Sequence, residues 1–288
     1  RLTKQLLRSP EDVSAPFIIT QHFMHRGHGP NGIGETCLIA YAHIETFGFS
    51  KQSQRDFVFP THPCGITKAA IGIGTAIHVI LGERFFNEGH HEKGIFHYRH
   101  GARIQSRAKQ FAAAGRTLTD LAKRLYNATG IDAAVLIAQE ARKEFQKGKL
   151  SSAEGHLCYL MAWWYGVEAK QWEPALELAQ TSCRLFQGPA ARSNLAQATF
   201  QCGMFSFQLG QTEEALAYWT KTRSLYKTLQ NRAREAFTLW WMAGCIADEE
   251  RKSALFYESF EIAVESQELK GISASVGSLG ISLARAGK

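Results

Sequence analysis

A small residue recurs along this chain at an almost constant interval: Gly94, Ala134, Ala175, Ala215 and Ala254 stand 40, 41, 40 and 39 positions apart. A fixed period constrains architecture more than any local propensity does, because each repeat is one supersecondary unit that can bury its apolar face only against its neighbours. Around each of the five positions, apolar residues follow helical spacing on both sides of a short polar turn. The unit therefore reads as a helical hairpin (helix A, turn, helix B), and the array covers residues 66–288.

The clearest unit runs from Ala196 to Leu229, with Gly203 and Gly210 seven apart, followed by Ala215 and Trp219. Gly203 in helix A lets two helices approach closely, and Gly210 ends helix A where a left-handed residue is needed. Ala215 offers a second flat contact on helix B, and Trp219 fills the space between hairpins. Gly82, Gly89, Gly94 and Tyr98 repeat this punctuation, whereas the other three units keep only the small residue and the apolar periodicity.

The set Gly203, Gly210, Ala215 and Trp219 resembles the tetratricopeptide repeat. A period near 40 is similar to that of its long-repeat members, such as bacterial peptide receptors, transcription activators of the maltose-regulator type and polarity scaffolds. The resemblance implies an all-α fold, a right-handed superhelical stack of antiparallel helix hairpins with a concave ligand surface. It further implies a scaffold or adaptor that binds a protein or peptide, is not an enzyme and carries no cofactor. On this reading the concave face is built from the helix A residues Tyr159, Trp163, Gln197, Gln201, Thr238 and Trp241. One member of each doublet, Trp163–Trp164 and Trp240–Trp241, must turn away from the helix B partner. The first members are expected in packing, and an exposed Trp164 or Trp241 would anchor an apolar side chain. Gln197 and Gln201 replace the Lys and Asn that the chaperone-tail clamp of some members needs, so a chaperone tail is not expected.

The net charge of +7 is local, since residues 99–149 hold eleven Lys/Arg against four Asp/Glu. Arg99, Arg103 and Arg107 recur every four residues, which places three guanidinium groups along one helix face, and Arg116, Lys123 and Arg124 follow in the next helix. Such a stripe suits an acidic ligand or nucleic-acid phosphates; the plain alternative is a solvated outer face. An RNA-associated repeat protein is the third function class, but RNA-binding repeats pair basic residues with stacking aromatics or a per-repeat code, and no such code is present.

Residues 1–65 read as an irregular capping segment. Gly29–Thr36 (GPNGIGET) fits the phosphate-binding loop except that Glu35 replaces the lysine, and a carboxylate there would repel phosphates. With the long repeat and a C-terminal segment, Lys270–Lys288, that resembles a lone helix A, it motivates an alternative: the sensor arm of a signalling ATPase or transcription regulator continuing past residue 288. Among the histidines, His90, His91, His97 and His100 form the tightest group, but without cysteine and without a zinc spacing, so no metal is expected. The six cysteines contain no CxxC pair and read as buried thiols of a reducing, intracellular and cytoplasmic setting. The apolar run Ala69–Gly82, 14 residues, falls short of the ~20 needed to span a membrane.

Overall fold

The computed structural model describes residues 68–267 and 269–285. The expectations for residues 1–65, including the Gly29–Thr36 loop and the cysteines Cys37 and Cys64, lie outside the described residues. Every element among the described residues is helical: α1 (Lys68–Asn87), α2 (His91–Arg107), α3 (Phe111–Thr129), α4 (Ile131–Lys147), α5 (Ser151–Trp163), α6 (Trp172–Leu185), α7 (Arg192–Gln208), α8 (Thr212–Thr228), α9 (Arg232–Gly244), α10 (Glu249–Glu265) and α11 (Leu269–Arg285). The chain forms two compact units, Arg1–Thr117 and Leu118–Lys288, whose boundary falls inside α3.

In the first unit α1 and α2 form a hairpin closed by reciprocal ring-on-glycine packing. A Cβ on Gly82 would lie 2.6 Å from the Tyr98 ring, and one on Gly94 would lie 2.4 Å from the Phe86 ring. Each glycine thus clears the space that the opposite helix's aromatic fills.

In the second unit the hairpins α5/α6, α7/α8 and α9/α10 follow one another, and α11 packs on α10. Gly203 of α7 receives the Trp219 indole of α8, where a Cβ would lie 2.4 Å from Nε1. Trp219 is wholly buried and also reaches the next hairpin, its ring 5.5 Å from that of Trp241 in α9. Equivalent helices of successive hairpins meet at a separation of 38 residues: His156 with Asn194 (3.2 Å), Gln180 with Tyr218 (3.1 Å) and Trp240 with Ser278 (2.8 Å). A buried carboxylate pins another junction, as Glu235 of α9, 1% exposed, sits 2.8 Å from Arg232 and 3.8 Å from Arg223 of α8. Arg223 also pairs with Glu258 of α10.

Ala134, Ala175 and Ala215 are fully buried. The fifth expected position fails: Ala254 is exposed, and α10 turns Ser253, Phe256 and Ser259 inward. Here polar contacts replace the alanine, because Ser259 Oγ donates to the Ala236 carbonyl (2.8 Å) and lies 2.9 Å from Ser275 Oγ of α11.

The helix ends repeat one device. Gly210 N–H donates to the Phe207 carbonyl and Gln211 N–H to that of Ser206, the paired closure of a left-handed C-terminal turn. The same pair of bonds ends α8 through Gln230 and Asn231, and α4 through Lys149 and Leu150. At the left-handed position Gly89 and Gly210 are relaxed, whereas Lys109, Lys149, Lys170, Gln230 and Gln267 hold φ between 53° and 58°. A residue with a Cβ there costs about 1–2 kcal/mol. Gln230→Gly is therefore expected to raise stability by about 0.5–1 kcal/mol after the entropy of the added glycine is subtracted, read as a higher denaturation midpoint in urea.

Candidate functional site

Of the residues expected to bind a partner, the helix A face of the second unit, formed by α5, α7 and α9, leaves Trp163 and Gln197 exposed and Tyr159 half-buried. On α5 His156 and Trp163 are exposed and Tyr159 between them is half-buried, while Leu157, Cys158, Met161 and Ala162 form the core face. Trp163 is 41% exposed. On α7 Gln197 is exposed, and on α9 Arg234 and Phe237 are exposed, Phe237 also at 41%.

Hydrogen bonds and rings tie the three helices together. Gln201 Nε2 donates to the Tyr159 carbonyl across 3.3 Å. Phe200 of α7 stacks on Phe237 of α9 at 5.4 Å, and Phe237 stacks on Trp240 at 6.4 Å. Burial raises the pKa of Tyr159 and Tyr226, against the opposing pull of the nearby Arg234 cation. Burial lowers that of His156, so its imidazole is neutral at pH 7 and offers one donor and one acceptor.

Several sequence expectations are corrected here. Trp164, assigned to the surface, is 2% exposed and stacks on Tyr126 at 5.0 Å, while Trp163 takes the exposed position. The reversal has a local cause: Trp164 lies three residues after Met161 and seven after Leu157, on the buried stripe. A π-helical turn, Trp164–Glu168, follows and turns Gly166 inward, where Phe205 of α7 rests against it. Thr238 is fully buried and bonds the Arg234 carbonyl (2.7 Å), so it offers nothing to a partner. Gln201 is 2% exposed and acts within the scaffold, its Oε1 buried without a hydrogen-bond partner. Trp241 is half-buried among Phe200, Phe207, Trp219, Phe237 and Trp240, with its Nε1 enclosed, which makes it a packing residue. Sequence reasoning missed His156, Asn194, Phe200, Arg234 and Phe237. The available signal was the one-repeat separation that relates His156 to Asn194 and Phe200 to Phe237.

The basic residues do not share one unit. Arg103, Arg107 and Arg116 are exposed and Arg99 half-buried in the first, whereas Lys123 (exposed) and Arg124 (half-buried) belong to the second. The histidine group divides: His97 and His100 both meet His78 of α1, the first with its Nδ1 2.9 Å from His78 Nδ1 and the second with ring centroids 4.4 Å apart, while His90 and His91 lie beside Phe85 and Phe86. Burial, with His100 and His97 adding positive charge, holds His78 down at about 4, so it is neutral at pH 7. Among the described residues no group of three or more His, Cys, Asp or Glu side chains is placed to hold a metal ion, and no helix is long and apolar enough to cross a membrane.

Neither a family model nor any curated protein sequence matches the chain. Solved structures do. A signal transduction ATPase with numerous domains, carrying a tetratricopeptide repeat sensor, from Pyrococcus horikoshii superimposes with a TM-score of 0.60 at 15% identity. That alignment covers 96% of this chain, which spans only 42% of the ATPase's length. The apo form of RapI aligns with a TM-score of 0.50 at 10% identity, covering 93% of this chain and 95% of RapI. At such identities the likeness is one of fold: the chain has the tetratricopeptide-type fold of repeated helical hairpins.

Proposed function

We propose that this chain is a protein- or peptide-binding scaffold, with no catalytic role of its own, whose partner lies along the helix A face of the second unit. The observation that carries this reading is the pair of exposed aromatics, Trp163 on α5 and Phe237 on α9, together with the exposed Gln197 on α7 and Arg234 on α9 and the His156–Asn194 pair. Exposed aromatics held by a rigid scaffold supply large contact area at small entropic cost, and neighbouring amides and a guanidinium can satisfy a peptide backbone.

A selection of displayed peptides against the full chain tests the reading. Selected peptides are expected to lose about 30-fold in affinity on Trp163→Ala or Phe237→Ala, the loss of one anchor worth about 2 kcal/mol. They should tolerate Arg103→Glu/Arg107→Glu. Peptides that respond only to the arginine pair would transfer the site to an acidic ligand, and a selection insensitive to both would overturn the reading.

The fold likeness to the sensor-bearing ATPase, over 96% of this chain, supports a second reading in which these hairpins form the sensor arm of a larger signalling protein. The two readings share the binding face and differ in what binding controls.

A further inference from the structure

Cys183 of α6 and Cys202 of α7 lie in successive hairpins, and their Sγ atoms stand 3.8 Å apart. Their surroundings differ. Cys202 is fully buried, whereas Cys183 is only partly covered and has Thr199 Oγ1 at 3.6 Å. The adjoining Cys202 thiol, the Thr199 hydroxyl and the Lys221 and Arg184 cations hold the Cys183 thiol down at about 7 against the upward pull of burial. The Cys202 thiol is pushed well up by its contact with Cys183 and by burial. Cys158 has no such partner, and burial pushes it up to about 11. Cys183 is thus the less covered and the more acidic of two thiols that stand side by side.

We propose that Cys183 and Cys202 form a redox-active dithiol that closes to a disulfide on meeting a small-molecule disulfide of the glutathione class, tying α6 of one hairpin to α7 of the next. Cys183 releases its proton to solvent, and its sulfur attacks one sulfur of the small disulfide. That S–S bond breaks, and the displaced thiolate takes up a proton. Cys202 then gives up its proton as its sulfur attacks Cys183 Sγ, displacing the second small thiolate, which is protonated in turn. Two cysteine thiols are oxidised by two electrons, and one small disulfide is reduced to two thiols. Bond formation brings the sulfurs from 3.8 Å to the bonded distance of about 2.05 Å. Because α6 and α7 belong to neighbouring hairpins, the bond would clamp the junction on which α7 presents Gln197 and Phe200.

The full chain, folded by circular dichroism, would be equilibrated with oxidised glutathione and mapped by mass spectrometry without reduction. The expected result is a Cys183–Cys202 linked peptide, the loss of two free thiols, reversal by dithiothreitol, and a higher melting temperature for the oxidised chain. Cys202→Ser should stop at a glutathione adduct on Cys183, and Cys183→Ser should leave Cys202 unmodified. Absence of the linked peptide from folded oxidised chain, or linkage through Cys37 or Cys64 in its place, would overturn the proposal, as would a Cys202 adduct forming in Cys183→Ser at the wild-type rate. If either serine variant fails to fold, the wild-type map and the melting shift decide by themselves.

Discussion

Replacing Trp219 with alanine is expected to lower the unfolding free energy by about 3–5 kcal/mol, the cost of truncating a fully buried aromatic whose surroundings close only partly over the void. The indole lies on Gly203, its Nε1 donates to the Phe200 carbonyl at 3.3 Å, and its ring meets those of Phe207, Phe200 and Trp241. No neighbour can slide in to replace it: Gly203 has no side chain, and Trp241 is itself wedged among Phe200, Phe237 and Trp240. Stability in a linear repeat is a sum of hairpin and junction terms, so the loss should fall on α7 to α10 first. Urea unfolding followed by circular dichroism gives the total, and amide exchange gives the location. Trp163→Ala, which truncates a half-exposed ring, serves as the control, and a Trp219→Ala midpoint equal to that control would refute the account of the core.

Gly203→Val should be nearly as damaging, by about 3 kcal/mol, for the opposite reason. Overpacking a close helix contact typically costs about 1–3 kcal/mol, and the present geometry sits at the upper end. A Cβ on Gly203 would meet three Trp219 ring atoms at 2.4, 2.6 and 2.7 Å, all belonging to a rigid indole that is itself fully buried. If this contact is what the glycine serves, the two changes are coupled. Gly203→Ala combined with Trp219→Phe should cost less than the sum of the single changes by about 1 kcal/mol or more, a double-mutant cycle read from the same unfolding curves. Strict additivity would mean that the glycine serves some other purpose, such as α7 backbone geometry.

The disagreements between sequence and structure have one common form. At Trp163–Trp164 adjacent residues sit 100° apart on a helix, so the periodicity could place either of them on the border of the buried stripe. Trp164 fell on the stripe of Leu157 and Met161, and the π-helical turn after it sets Gly166 against Phe205 of α7, a contact that the doublet itself does not encode. The helix ends show the same limit. Gly89 and Gly210 advertise left-handed turns, but Lys149 and Gln230 adopt the same conformation with no signal in their residue type, because the paired backbone hydrogen bonds compensate for the strain. In α10, Ser253 and Ser259 are inward where the spacing favoured Ala254, since a buried hydroxyl is tolerated once it has a partner, and those partners lie on α9 and α11.

The chain by itself determined the hairpin unit, its period near 40 and the pairing of a glycine with a large ring, because the distance of helix approach is set by side-chain volume at a few local positions such as Gly82, Tyr98, Gly203 and Trp219. Only the tertiary structure decided which aromatics reach solvent, which carboxylate is buried between arginines, and that Cys183 meets Cys202. Those outcomes depend on the axial register between successive hairpins, and register is the joint product of all the contacts along an interface, with no single residue in the sequence to mark it.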